Sequence, residues 1–337
     1  METTKKLKNI SSESINEPTK KIEKLNKNNN PYDNYNIKSK SLILKINCYK
    51  CLVNCLCMLD DGRLVSNLGE LNNIIIYNKI TYKQDLIIKE HFSWVLCIIN
   101  LKFNKLASSS ADKTIKIFKI QDNNYEILQI FNYHLDNVNK IIELKNKNLV
   151  SCSKDKSIIF YTKDNNDIYK KDYQIYINNY CGNIIQIKEN EISYLEYNYD
   201  YRYNIYFYDF KERKNKSLML EINNSGTLGP FNMITKNLLI IGGYNKISII
   251  NVNQYKLIKV IEITESSYAI YGFCMLNEYM FLTGSDNGII RQWKIENDDI
   301  NLIFQKEKTH EYGINAIMKL RNGKICTCSD DGSIKIW

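Results

Sequence analysis

Beyond residue 40 the apolar and polar positions alternate with period two in short runs, as in "VLCIINL" (95–101), "KLASSS" (105–110) and "TIKIFKI" (114–120). Successive side chains of a strand point to opposite faces, so this alternation predicts β-strands rather than helices. Turn chemistry separates the runs. "DDG" at 60–62 and 330–332, "DNG" at 286–288 and "RNG" at 321–323 supply residues that accept positive φ. The expected class is all-β, built from antiparallel hairpins.

The strand pattern also repeats. "LASSSADKTIKIF" (106–118), "LVSCSKDKSIIFY" (149–161), "FLTGSDNGIIRQW" (281–293) and "ICTCSDDGSIKIW" (325–337) are strong copies. "LVSNLGELNNIIIY" (64–77), "YLEYNYDYRYNIYFY" (194–208) and "LLIIGGYNKISIIN" (238–251) are weaker ones. They close at Tyr77, Phe118, Tyr161, Tyr208, Asn251, Trp293 and Trp337, at intervals of 41, 43, 47, 43, 42 and 44 residues. A repeat of this length holds four strands, and stacked copies bury what one copy cannot. A ring of seven antiparallel sheets over 41–337 is expected.

These copies resemble WD repeats, whose fold is a β-propeller with four-stranded blades. In that family the aromatic ends the third strand of a blade and an outer strand follows. With Trp337 last in the sequence, the seventh blade has to take its outer strand from elsewhere. "SLILKIN" (41–47) is nearly a copy of "SLMLEIN" (217–223), which falls in the outer slot of blade four. The resemblance therefore implies that 41–47 pairs beside 333–337, joining the ends of the ring and removing two open edges.

The same repeats carry Ser, His and Asp, the residue types of a hydrolase. His91, His134 and His310 each precede an Asp by 21 residues (Asp112, Asp155, Asp331) and an aromatic by 27 (Phe118, Tyr161, Trp337). A hydroxyl lies four residues before each Asp: Ser108, Ser151 and Thr327. An enzyme needs such a set once, whereas here it recurs three times. The resemblance implies instead a buried hydrogen-bond network that ties the turn between strands two and three to the loop entering strand one. Phe118 has no polar hydrogen, so its network is expected to end early. Blade six has Thr283, Asn287 and Trp293 but Ser266 at the His position.

Ten cysteines and an N-terminus without a signal-peptide apolar core lead to the expectation of an intracellular protein, cytoplasmic or nuclear, with reduced thiols. In "CYKCLVNCLC" a zinc site would use Cys48, Cys51, Cys55 and Cys57, but no second knuckle or nearby His accompanies them. "IIGGYNK" (240–246) reads as a strand end and turn at a repeat boundary, not a phosphate loop. No catalytic, cofactor or metal residues are assigned. The net charge of +9 includes no basic stripe, only "KERKNK" (211–216), so direct nucleic-acid binding is not expected. Residues 1–40 are polar and expected to be disordered, with "KIEKLNK" (21–27) as a short helical or partner-binding motif. On that basis, removal of 1–38 should barely affect stability, whereas removal of 1–47 should lower it sharply.

The family resemblance implies a non-enzymatic scaffold or adaptor that binds protein or peptide partners on the upper rim, as a monomeric subunit of a hetero-complex. In the family the rim residues lie one and three places after the His position and one before the turn Asp. Carried over, these are Phe92, Trp94 and Ala111; Leu135, Asn137 and Lys154; Glu311, Gly313 and Asp330. Blade six gives Ser267, Ala269 and Asp286, blade five Ser225, Thr227 and Tyr244, and blade one Lys50 and Leu52. Phe92 and Trp94 stand out, since aromatics are over-represented among interface hot spots. The blade-four lower face, with "KERKNK" and the tyrosine-rich repeat, is the second candidate surface. The alternatives are a subunit of an RNA-processing or ribosome-assembly complex and, more remotely, a Ser/His/Asp hydrolase.

Overall fold

The structure is a computed structural model that describes residues 37, 40–48, 51–197, 203–216, 220–222, 229–263, 268–296 and 299–337. The expectations for residues 1–36 and 38–39, for Lys50, Ser225 and Thr227, and for Ser266 and Ser267 lie outside the described residues. The strands form seven separate antiparallel sheets. Blade one runs Leu56–Met58, Leu64–Leu68, Asn73–Tyr77 and Gln84–Ile88, and the same four-strand order recurs through blade six. Among the described residues there is no α-helix.

Blade seven takes Ile314–Lys319, Ile325–Ser329 and Ser333–Ile336 from one end of the chain and Leu44–Asn47 from the other. Leu44 faces Ile336 and Asn47 faces Ser333 in the ladder. The Ile43 N–H donates to the Ile336 carbonyl at 2.8 Å and the Cys48 N–H to the Gly332 carbonyl at 2.7 Å. The fold is thus a seven-bladed β-propeller closed by its N-terminal strand. Ile37, placed in the polar tail on sequence grounds, is also built in. It is 1% exposed, packed with Met280, Leu282, Ile290 and Trp337 between blades six and seven.

The core is divided among the blade interfaces, because each sheet is apolar on both faces and must be covered twice. Seven apolar clusters lie between successive blades, and the one joining blade seven to blade one includes Cys48, Cys51, Leu68, Ile75, Ile334 and Ile336. Blade four is the irregular one. Its outer strand is in two pieces, Lys214–Asn215 and Leu220–Ile222, both paired with Tyr203–Asp209. Its tyrosines serve packing, with Tyr194 and Tyr206 stacked at 5.1 Å across the sheet.

"IIGGYNK" differs from its sequence reading. It is the turn between the second and third strands of blade five, Leu238–Gly242 and Lys246–Asn251, and not a repeat boundary. Asn245 takes the left-handed conformation there (φ 57°), which asparagine tolerates better than most residues.

Candidate interaction surface

The upper face is built by the loops entering each inner strand and by the turns between strands two and three. In blades two, three and seven a His–Asp pair holds these two features together. The Asp can only accept, so the His Nδ1–H donates to it: His91 to Asp112 at 2.7 Å, His134 to Asp155 at 2.9 Å and His310 to Asp331 at 2.8 Å. The other ring nitrogen then accepts from Ser108 (2.7 Å), Ser151 (2.8 Å) or Thr327 (2.7 Å). Trp337 Nε1–H extends the blade-seven chain to Thr327 at 3.0 Å, and the Tyr161 hydroxyl extends that of blade three to Ser151 at 3.2 Å. Phe118 leaves the blade-two network without this third member.

Each Asp also serves the backbone. Its Oδ2 accepts the N–H of the residue after the His, which is Phe92, Leu135 or Glu311. Its Oδ1 accepts both the N–H and the hydroxyl of Thr114, Ser157 or Ser333. Burial alone raises a carboxyl pKa, but these bonds prevail. Asp155 is held at about 2 by His134 and Ser157, and Asp112 and Asp331 lie well below the usual carboxylate range. At His310 burial wins over the attraction of Asp331 and lowers the imidazole pKa.

These distances are those of a nucleophile–base pair, which the sequence spacing alone did not imply. Access separates the two readings: Ser108, Ser151 and Thr327 are fully buried, so no substrate carbonyl can reach their oxygens. In blade six the Trp293 indole donates to Thr283 at 2.8 Å, while Asn287 instead accepts from Ser285. The structure does not join Asn287 to the Thr283–Trp293 pair.

The rim residues are fixed by the same construction. The Ala111 N–H donates to the Trp94 carbonyl, Lys154 to Asn137, Asp330 to Gly313 and Asp286 to Ala269, at 2.8–3.1 Å. Phe92 is 88% exposed and Leu135 79%; Trp94 is 46% exposed, and its indole N–H has no partner among the described residues. Lys116 Nζ lies 5.4 Å from the Phe92 ring centre, with its ammonium anchored on the Glu90 carbonyl. Lys154 and Glu311 are exposed, Asn137, Asp286 and Asp330 partly so, and Tyr244 is at the exposed edge of its turn. Two expected rim members are corrected. Gly313 and Ala269 are buried, because the neighbouring turn closes over them: a Cβ on Gly313 would lie 3.2 Å from the Asp286 Cα. Tyr312, two places after His310 and therefore skipped by the one-and-three rule, is exposed instead.

The four cysteines weighed as zinc ligands face different interfaces. Cys48 and Cys51 pack against blade seven, with the Cys48 thiol 3.6 Å from the Tyr77 hydroxyl, whereas Cys55 and Cys57 face blade two. Burial pushes the Cys55 and Cys57 thiols up to about 12 and Cys48 to about 11, against the thiolate a metal requires. On the lower face, three of the four cations of "KERKNK" are engaged. Lys214 pairs with Glu212 (2.7 Å), Lys216 with Asp209 (3.0 Å), and Arg213 stacks on Tyr173 at 4.2 Å.

A family model described as "WD domain, G-beta repeat" matches residues 83–119 and 304–337. A solved structure titled "Structure of U3-55K" is similar in fold, with a TM-score of 0.69 at 15% identity over 87% of this chain and 97% of that one. A search of curated proteins gave no match.

Proposed function

We propose that this chain, a seven-bladed β-propeller matched by the WD-repeat family model over residues 83–119 and 304–337, is a non-enzymatic scaffold that docks protein or peptide partners on its upper rim around Phe92 and Trp94. The observation that carries this reading is the pairing of exposed aromatics with a rigid seat. Phe92 and Trp94 project from a loop whose backbone is held by Asp112 and Ala111, so their presentation costs little ordering on binding. Leu135 extends the apolar surface to blade three.

The hydrolase alternative is disfavoured by the burial of all three hydroxyls. A role inside an RNA-processing or ribosome-assembly complex would run through protein contacts, since in the basic stretch at 211–216 Lys214 and Lys216 are paired with carboxylates and Arg213 stacks on Tyr173. An intracellular setting is consistent with ten cysteines that form no disulfide. No helix among the described residues is long and apolar enough to cross a membrane. The test is pull-down with Trp94→Ala, which replaces a side chain that is 46% exposed and belongs to none of the seven apolar clusters. We expect an unchanged melting midpoint and loss of a partner; full partner recovery refutes the assignment of this rim.

A further inference from the structure

The inner strands of all seven blades enclose a cavity of about 290 Å³. Its walls are mainly the opening residues of those strands, so it lies toward the same face as the entry loops that carry Phe92, Trp94 and Leu135. One register position distinguishes blade three. In blades two, three, four, six and seven the pairing of the first two strands slips by one residue, and the residue just past the slip is Cys97, Lys140, Asn183, Gly272 and Ala316 respectively. Only blade three places a charge there.

Lys140 lines the cavity together with the amides of Asn54, Asn183, Asn232 and Asn315 and the hydroxyl of Tyr271; among the described residues no carboxylate lines it. Among the described residues the Lys140 ammonium has no hydrogen bond and no ion pair. The side chains of Asn232 and Tyr271 likewise have no hydrogen-bond partner. An ammonium is three donors with no acceptor, and a confined one gains most from a charged acceptor. The carboxylates that act on Tyr271, in the wall formed by blade six, are those of Asp286 and Asp330. Asp330 Oδ1 accepts from Asn315 Nδ2 at 2.6 Å, and Asp286 lies against Gly313. Their negative charge would direct an entering anion away from blades six and seven and toward blade three.

We infer that the cavity receives a carboxylate side chain of a protein partner, an Asp or Glu that enters from the rim and pairs with Lys140. This rests on the rim reading above: the apolar part of the partner lies on Phe92 and Leu135, and the acid reaches inward. At about 290 Å³ the cavity accommodates such a side chain but not a folded segment. A neutral or basic side chain in the same place would leave the ammonium unpaired or opposed.

The experiment is selection of a random peptide display library on the full chain, followed by fluorescence polarisation with the enriched peptide and its acid-to-amide counterpart. Wild type is expected to enrich an Asp or Glu at one fixed position beside an apolar residue. Lys140→Gln should weaken the acidic peptide about 10-fold or more and abolish its advantage over the amide peptide, while Lys140→Arg keeps that advantage. Equal melting midpoints of the two variants establish that folding is not the cause. Enriched peptides without an acid preference, or a preference unmoved by Lys140→Gln, overturn the inference. Binding that needs Phe92 but not Lys140 also overturns it and leaves the rim reading standing. Binding that needs Lys140 but not Phe92 supports it and removes the rim reading. A library that enriches nothing counts against both.

Discussion

Ile37 provides a test of how far the closing strap extends. The residue is buried among apolar side chains of blades six and seven, and its N–H donates to Gln292 Oε1 at 3.2 Å. Full burial of an isoleucine contributes about 2–3 kcal/mol and the hydrogen bond about 1 kcal/mol. Releasing its own backbone returns about 1–2 kcal/mol of entropy. A chain starting at residue 39 should therefore be less stable than one starting at residue 36 by about 2 kcal/mol. At roughly 2 °C per kcal/mol for a domain of this size, the thermal midpoint drops by about 4 °C. A chain starting at residue 48 should fall much further, because it also loses the ladder to Ser333–Ile336 and exposes that edge. Calorimetry and size exclusion of the three chains check this. Coincident midpoints for starts at 36 and 39 refute the burial of Ile37, and coincident midpoints for all three refute the closure.

Other consequences follow from the turns and networks. Gly288 sits at φ 74° with a would-be Cβ 2.1 Å from the His310 carbonyl oxygen, so Gly288→Ala should cost about 3 kcal/mol or more. Gly323→Ala has a similar φ but open space, and chemical denaturation should show a loss of only about 1 kcal/mol. Lys113, at φ 73° in the equivalent of the Gly288 turn, should gain about 0.5 kcal/mol on Lys113→Gly. The networks predict acid sensitivity in two steps. His310 has a folded pKa below its unfolded value of about 6.5, so the unfolded chain takes the proton first and stability falls as pH drops through about 6.5. Asp112, Asp155 and Asp331 are also depressed, so their contribution is intact above about pH 4 and is lost as pH falls through their folded values. Urea titrations between pH 7.5 and 3 should show the first step and the onset of the second; stability that rises from pH 7 to 5 contradicts the assignment. His310→Ala should cost about 3 kcal/mol at pH 7.5, since Thr327 and Asp331 each lose a buried partner.

The blades were legible because each strand pair carries its own period and its own turn. Asp-Gly and Asn-Gly turns mark the sharp corners, and Gly62, Gly288, Gly323 and Gly332 all adopt positive φ. The closing strand was legible because "SLILKIN" repeats an outer-strand sequence found elsewhere in the chain. Ile37 was not, since a single apolar residue between polar ones has no periodicity, and only the surrounding blade interface gives it a place. Gly313 and Ala269 follow the positional rule for the rim, yet the preceding blade's turn, at Asp286 and Tyr244 respectively, lies against them. The triad-like distances were hidden for a related reason. Sequence spacing places Ser, His and Asp in one blade, but burial, which decides between structure and catalysis, depends on neighbouring blades. Lys140 gave no signal in a lysine-rich chain until the shared register set it beside Cys97, Asn183, Gly272 and Ala316.

The central claim is that a rigid rim, and not chemistry, carries the function. Its most direct test is quantitative affinity capture from native cells with wild type, Phe92→Ala, Trp94→Ala and Ile80→Ala, the last an exposed residue in a loop of the opposite face. The account predicts that one set of proteins is lost with both rim variants and retained with Ile80→Ala. The same set retained by both rim variants, or lost only with Ile80→Ala, contradicts it.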